Sequence, residues 1–340
     1  MPRATAPTSG RPYLTRFQRW VIALSLVNLI VVAVYVVLRW LLGGWGRLGV
    51  VLTYPPQLPW LPPSLALGAL ALALRRWRAL RWNAAAALLA LFGAMGFHWS
   101  LRLGRAPAGE TIRVMTYNVA GCSRGTSAML GDVAALKPDI IALQEGVSWR
   151  QSFDPVEAIL TSWPDYEARR SGGIAIISRF HFTGAQAVAH PMRRGRGSLE
   201  VRLATPHGPL TVITTHLSSV DIVHGWHLSS VAQLAALHEA QSAAVAALAE
   251  AAQAPVVVMG DFNAPPGSRA HRRLAGFGAD AFSAAGRGFG YTYSSRRPLV
   301  RIDHIFAGPG VRVSRAWVPG THGSDHRPVV ADIALPPREP

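Results

Sequence analysis

The chain has 340 residues, enough for one large domain with an added segment or for two ordinary domains. Its formal net charge is +16, yet none of the 18 acidic residues precedes Glu110, so the first 109 residues carry +12 and the remainder only +4. That asymmetry excludes reading the basic balance as a nucleic-acid signature of the whole chain, and the single cysteine, Cys122, excludes an intramolecular disulfide framework.

The N-terminal third reads as a membrane region, residues 1–102. Trp20 to Leu38 is an uncharged run of the length that crosses a hydrocarbon core as a helix. A second apolar run covers about 57–74, opening on Pro59, Pro62 and Pro63, and a third covers about 83–101, so three spans are predicted. Arg3, Arg11, Arg16 and Arg19 precede the first run and Arg75, Arg76, Arg78 and Arg81 separate the second from the third, whereas only Arg39 and Arg47 follow the first. The positive-inside rule then puts the N-terminus in the cytoplasm and everything after the third span outside the cell membrane, in a multi-pass arrangement. Trp20, Trp40, Trp82 and Trp99 fall at span ends, where interfacial aromatics belong. Residues 103–110, broken by Pro107, read as a linker.

From Thr111 to residue 335 the pattern changes to short β-rich runs separated by Gly, Pro and Asp clusters. Several runs deliver a polar side chain at one end. Thr111 to Val119 carries Asn118, Ile140 to Leu143 leads into Gln144 and Glu145, and Leu210 to His216 closes on the histidine. Val256 to Met259 leads through Gly260 into Asp261, Phe262 and Asn263; Arg301 to Phe306 holds Asp303 and His304; and Ser324-Asp325-His326 precedes the run from Pro328 to Ile333. One strand-end carboxylate is an ordinary turn former. Six such ends in one domain supply hard oxygen donors suited to a Mg²⁺-like ion together with imidazoles for proton transfer, and they lack the Cys/His spacing of a structural zinc site.

The ordered segments TYNV, LQE, SGGIAIIS, TTHL, GDFN, RIDHIF and SDHRPVV resemble the endonuclease/exonuclease/phosphatase superfamily, with its DNase I-like fold, across essentially all of 111–335. The resemblance implies an α/β domain built as a four-layer α/β sandwich, here preceded by three transmembrane helices. Carried over by position, Glu145 is the principal metal carboxylate, with Asn118 and Asp325 assisting. Asp261 orients or deprotonates the attacking water, Asn263 positions a phosphate oxygen, His326 sits beside the phosphate with Asp303 fixing its tautomer, and His216 is a second phosphate-contacting imidazole. The implied cofactor is Mg²⁺ or Mn²⁺. His304 alternates to the opposite face and reads as structural. Where some nuclease members carry a further acid, this chain has Ala120. Asp221, His224, Trp226 and His227 read as a packed loop, and Arg193, Arg194 and Arg196 as a solvated basic one.

The expectation is a membrane-tethered, metal-dependent phosphoesterase acting on a phosphate or pyrophosphate ester, favouring a lipid-borne substrate at the outer face because tethering concentrates the domain there. An extracytoplasmic nuclease and a catalytically silent binding module are the alternatives. Three spans joined to such a domain are also similar to bacterial membrane proteins linked to teicoplanin and vancomycin resistance.

Overall fold

The computed structural model describes residues 14–43, 45–100, 111–146, 154–190, 197–219, 228–252 and 255–336. The predicted linker 103–110, the arginines at 193, 194 and 196, and Asp221, His224, Trp226 and His227 lie outside the described residues. The chain divides into two compact units, one comprising residues 1–36 and 58–94, the other 37–57 and 95–340.

The first unit is helical. Helix α1 (Arg16–Leu42) begins in it, and α3 (Pro62–Ala73), α4 (Trp77–Leu88) and a π-helical turn (Leu89–Ala94) complete it; α2 (Gly46–Thr53) belongs to the second unit. Small side chains make the contacts: Val21 packs with Ala71 and Ala79, and Val32 with Ala86 and Ala90. The uncharged Ser25, Ser64 and Asn83 are buried in this unit. Asn28 Nδ2 donates to Ser64 Oγ (2.9 Å) and Asn83 Nδ2 to Ser25 Oγ (2.8 Å), while Trp20, Leu24, Ile30, Val34, Leu65 and Phe92 are exposed. Large apolar side chains thus lie on the outside of the unit as well as between its helices.

Three spans were expected, and the structure corrects this: among the described residues one helix, α1, is long and apolar enough to cross a membrane. The second run starts late, at Pro62 in the first turn of α3, and its 12 residues reach only about 18 Å at 1.5 Å per residue, against a core of about 30 Å. The third run takes its first turns from Trp77 to Arg81, which include two arginines, and stops at Ala94. Gly96, at φ +69°, turns the backbone out of the helix, and His98–Trp99 are extended. The apolar stretch was continuous in composition but is punctuated by helix-ending backbone geometry. The multi-pass arrangement drawn from three spans therefore gives way to a single candidate anchor.

The second unit holds two six-stranded sheets. In chain order the strands are β1 (His98–Trp99), β2 (Ile112–Asn118), β3 (Ile140–Gln144), β4 (Glu167–Ser171), β5 (Ile174–Ser178), β6 (His181–Ala189), β7 (Gly197–Thr205), β8 (Gly208–His216), β9 (Val256–Asp261), β10 (Ala279–Asp280), β11 (Arg287–Gly288), β12 (Asp303–Ala307), β13 (Arg312–Trp317) and β14 (Val329–Ala334). One sheet runs β13-β14-β2-β3-β5-β4 and the other β10-β12-β9-β8-β7-β6, with β2–β3 and β8–β9 as the parallel pairs. The apolar core between the sheets takes alternate residues of each strand, such as Ile112 and Val114, Ile140 and Ala142, Leu210 and Val212, Val257 and Met259. The intervening residues face helices. Met115, Tyr117, Ile141 and Leu143 pack on α5 (Thr126–Leu136) and α6 (Pro155–Ser162), and Ile213, Val258 and Phe306 pack on α7 (Leu228–Ala251) and α8 (Arg269–Phe277). Helix, sheet, sheet and helix make the four-layer α/β sandwich that was expected of this domain.

Behind the second sheet sits a buried ionic network. Arg301 Nη1 donates to both oxygens of Asp280 (2.8 and 2.7 Å), and His271 Nε2 lies 2.8 Å from Asp280 Oδ2. His304 faces this side, as its alternation requires, and its Nε2 donates to the Ala264 carbonyl (2.9 Å). Asp280 and the two histidines lie close enough to hold a metal, but the Arg301 guanidinium already supplies the positive charge. Burial pushes His271 down to about 4 against the pull of Asp280, and pushes His238 on α7 down to about 4 as well. Both are neutral in the fold, so protonating them between pH 6.5 and 4 favours unfolding by roughly 3 kcal/mol each. Asp261, raised to about 7 by burial and by Asp303, works the other way across that window. His326, held up at about 10 by Asp303 and Asp261, works with Asp261, so two groups oppose two and thermal melting is expected to move little between pH 7 and pH 5; a fall of many degrees would contradict these assignments.

Candidate active site

The inward-facing columns of the sandwich change character toward one end. On β2 the series is Ile112, Val114, Thr116, Asn118; on β3 it is Ile140, Ala142, Gln144; on β8 it is Leu210, Val212, Thr214, His216; on β9 it is Val257, Met259, Asp261. Apolar packing thus gives way first to a hydrogen-bonded layer and then to ionisable groups. In that layer Thr116 Oγ1 donates to Gln144 Oε1 (3.1 Å) and Gln144 Nε2 to Thr214 Oγ1 (3.0 Å), tying the two sheets together directly beneath the ionisable groups.

Register places the top row. His216 pairs with Asp261 across the parallel β8–β9 ladder, and Asp303 pairs with Asp261 across β9–β12. The close approach depends on Gly260, since a Cβ there would stand 2.0 Å from the Thr215 carbonyl oxygen. Two side chains leave the strands by left-handed backbone, Glu145 at φ +52° and Asn263 at φ +46°, a conformation non-glycine residues rarely adopt and one that gathers at functional sites.

The contacts are close. Asn118 Nδ2 donates to Asp261 Oδ2 (2.9 Å) and Glu145 Oε1 (3.1 Å). His216 Nε2 lies 3.4 Å from Asp261 Oδ2 and 3.7 Å from Glu145 Oε1. His326 Nδ1 lies 2.9 Å from Asp303 Oδ2, with its Nε2 turned toward Asp261 Oδ2 at 3.9 Å. The Asn263 amide donates to Asp261 Oδ1 (2.8 Å), and its side chain Nδ2 to the Leu217 carbonyl (3.1 Å). Burial and then the Asp303 charge push Asp261 up to about 7. Burial works against a charged His326, but Asp303 and Asp261 outweigh it and hold the imidazole up at about 10.

Seven of the eight expected site residues, Asn118, Glu145, His216, Asp261, Asn263, Asp303 and His326, are therefore linked by these contacts. Asp325 stands apart from that chain of contacts, its Oδ1 3.4 Å from Ser324 Oγ and its charge felt at His326. Asn118 is expected to assist a metal, yet its Oδ1 accepts the Ala120 amide (3.0 Å) and it turns N–H toward the two carboxylates. Several supporting residues carried no local signal. Ser324 Oγ donates to the Asn118 carbonyl (2.6 Å) and accepts from the His326 amide (3.1 Å), Arg124 Nη1 donates to the Ser324 carbonyl (2.6 Å), and the Tyr293 ring lies 4.9 Å from that of His326.

The donor set suits a divalent cation. Asp261 and Asp303 concentrate negative charge at this end of the sandwich, Asp303 Oδ1 is buried without a hydrogen-bond partner, and the half-exposed Glu145 carboxylate beside them is the oxygen donor open to an incoming ion.

The residue pattern of the endonuclease/exonuclease/phosphatase family matches residues 115–326, well over half of the chain, and encloses every group just described. The chain belongs to that family. Members of the endonuclease/exonuclease/phosphatase family are hydrolases acting on phosphate ester bonds, generally with a metal, and this chain is placed among them. Solved structures share the fold. A family protein from Beutenbergia cavernae is 20% identical, with a TM-score of 0.53, over 67% of this chain and 72% of that one. The human Nocturnin catalytic domain with bound sulfate anion is 21% identical, with a TM-score of 0.51, over 66% and 94%. D. rerio TDP2 complexed with a single strand DNA product is 18% identical, with a TM-score of 0.50, over 66% and 98%. No curated protein matches the chain.

Proposed function

We propose that this protein is a membrane-tethered, Mg²⁺- or Mn²⁺-dependent phosphoesterase whose substrate is a phosphate or pyrophosphate ester carried on a lipid. The observation that carries the chemistry is the meeting of Glu145, His216, Asp261 and the His326–Asp303 pair, linked by contacts shorter than 4 Å, at one end of the sandwich. Asp261 is the proton acceptor for the attacking water, its affinity for a proton raised toward neutrality. His326, locked by Asp303 at Nδ1, presents a positively charged Nε2–H to a phosphate oxygen and is available to the leaving oxygen. The remaining amide hydrogen of Asn263 and the His216 ring serve the other non-bridging oxygens. Glu145 would hold the divalent ion, with Asn118 steering its carboxylate and Asp325 adding negative charge nearby; when bound, the ion neutralises charge on the phosphate.

The lipid assignment rests on the first unit. A 27-residue apolar helix with exposed Trp20, Leu24, Ile30 and Val34, and with Ser25 buried, is suited to hydrocarbon. Arginines ahead of α1 favour a cytoplasmic N-terminus, so that a single crossing leaves the catalytic unit outside. The test is hydrolysis by the purified full-length protein of a long-chain isoprenyl pyrophosphate in mixed micelles, measured against a single-stranded oligonucleotide. The lipid is expected to be the better substrate by kcat/KM; cleavage of DNA with no turnover of lipid would select the nuclease reading instead.

A further inference from the structure

We propose that Tyr54 is a positioning residue for this site, acting through His238 and Ser218, so that α2 and the residue that caps it are a working part of the catalytic unit. The inference rests on the phosphoesterase reading. Tyr54 lies outside the residues that match the family pattern, just beyond the end of α2.

The path can be followed atom by atom. Val50 and Tyr54 pack against Val231, Leu234 and Ala235 of α7. Tyr54 Oη lies 2.6 Å from His238 Nδ1, and His238 Nε2 lies 2.6 Å from the Ser218 carbonyl. A carbonyl can only accept, so Nε2 carries the hydrogen, Nδ1 is left as an acceptor, and the tyrosine hydroxyl donates to it. Burial holds both groups in the states this requires, His238 neutral and Tyr54 as the phenol. Gln241, three residues along α7, takes the other two polar atoms of Ser218: its Oε1 accepts the amide (3.0 Å) and its Nε2 donates to Oγ (2.9 Å). Every hydrogen-bonding atom of Ser218 is thus held from α7, and the carbonyl bond depends on Tyr54 to set the imidazole.

Ser218 follows the site strand directly. The Leu217 amide donates to the Asp261 carbonyl (2.9 Å), the Leu217 carbonyl accepts from Asn263 Nδ2, and His216 is the residue before. Losing the Tyr54 hydroxyl frees the imidazole to turn, loosens the Ser218 carbonyl, and lets the groups that hold Asn263 and His216 drift. Small displacements of positioned groups lower turnover more than binding.

Full-length protein in detergent, with bis(p-nitrophenyl) phosphate and Mg²⁺ as the probe, separates positioning from mere packing. Tyr54→Phe is expected to lower kcat about tenfold with KM within twofold, and to speed amide hydrogen exchange of the peptide spanning 210–219. Val50→Ala, which thins the same interface without touching a hydrogen bond, should leave kcat of the folded protein unchanged. Wild-type kcat in Tyr54→Phe, or wild-type exchange in 210–219, overturns the proposal even if the variant melts earlier. Absence of turnover of both this diester and the isoprenyl pyrophosphate in the wild type would refute the phosphoesterase reading, and the exchange comparison would still decide whether Tyr54 holds the loop.

Discussion

Replacing His326 with alanine should lower phosphate-ester hydrolysis by about 10³- to 10⁴-fold while leaving the fold intact. The imidazole is buried between Asp303 and Asp261, and both carboxylates keep it charged, so its loss removes the positively charged hydrogen-bond donor of the site. Asp303→Asn should cost about 10²- to 10³-fold. Oδ2 of Asp303 accepts from Nδ1 at 2.9 Å, and neutralising that carboxylate weakens the bond and lets the ring proton settle on the wrong nitrogen. Because Asp303 acts only through His326, the double variant should be no slower than His326→Ala alone, the signature of residues working as a unit. Losses that multiplied would give Asp303 a separate task, and its partnerless Oδ1 would then be the place to look.

Glu145→Gln should produce the second large loss, about 10²- to 10³-fold. Its effect should be of another kind, since more Mg²⁺ would be needed to reach half-maximal rate. Stability should hardly change: the side chain is 44% exposed, and glutamine preserves an acceptor for Asn118 Nδ2. A variant with the wild-type metal requirement would remove Glu145 from the metal's ligands. Kinetics titrated against Mg²⁺ and melting curves, taken on the same preparation, distinguish these outcomes.

The sequence makes most of the site legible because strand ends carry a local signature. A β-branched run followed by a polar residue announces itself at Val256 to Asp261, and period-two alternation puts Asp303 and His304 on opposite faces, as the structure has them. The membrane spans were harder to read. A count of apolar residues registers composition, but the prolines at 62 and 63 and the left-handed Gly96 decide where helices start and stop. Least legible of all was the support behind the site. Tyr54 and His238 are 184 residues apart, Ser324 and Asn118 are 206 apart, and nothing in the neighbourhood of any of the four forecasts the contact.

The most direct test is the rate at which full-length protein hydrolyses bis(p-nitrophenyl) phosphate, measured after chelation with EDTA and again after Mg²⁺ or Mn²⁺ is restored, beside Asp261→Asn. Hydrolysis that vanishes with the metal, returns with it, and is lost by at least 10³-fold in Asp261→Asn is the expected result. Hydrolysis indifferent to EDTA, or undiminished in the variant, would contradict the account.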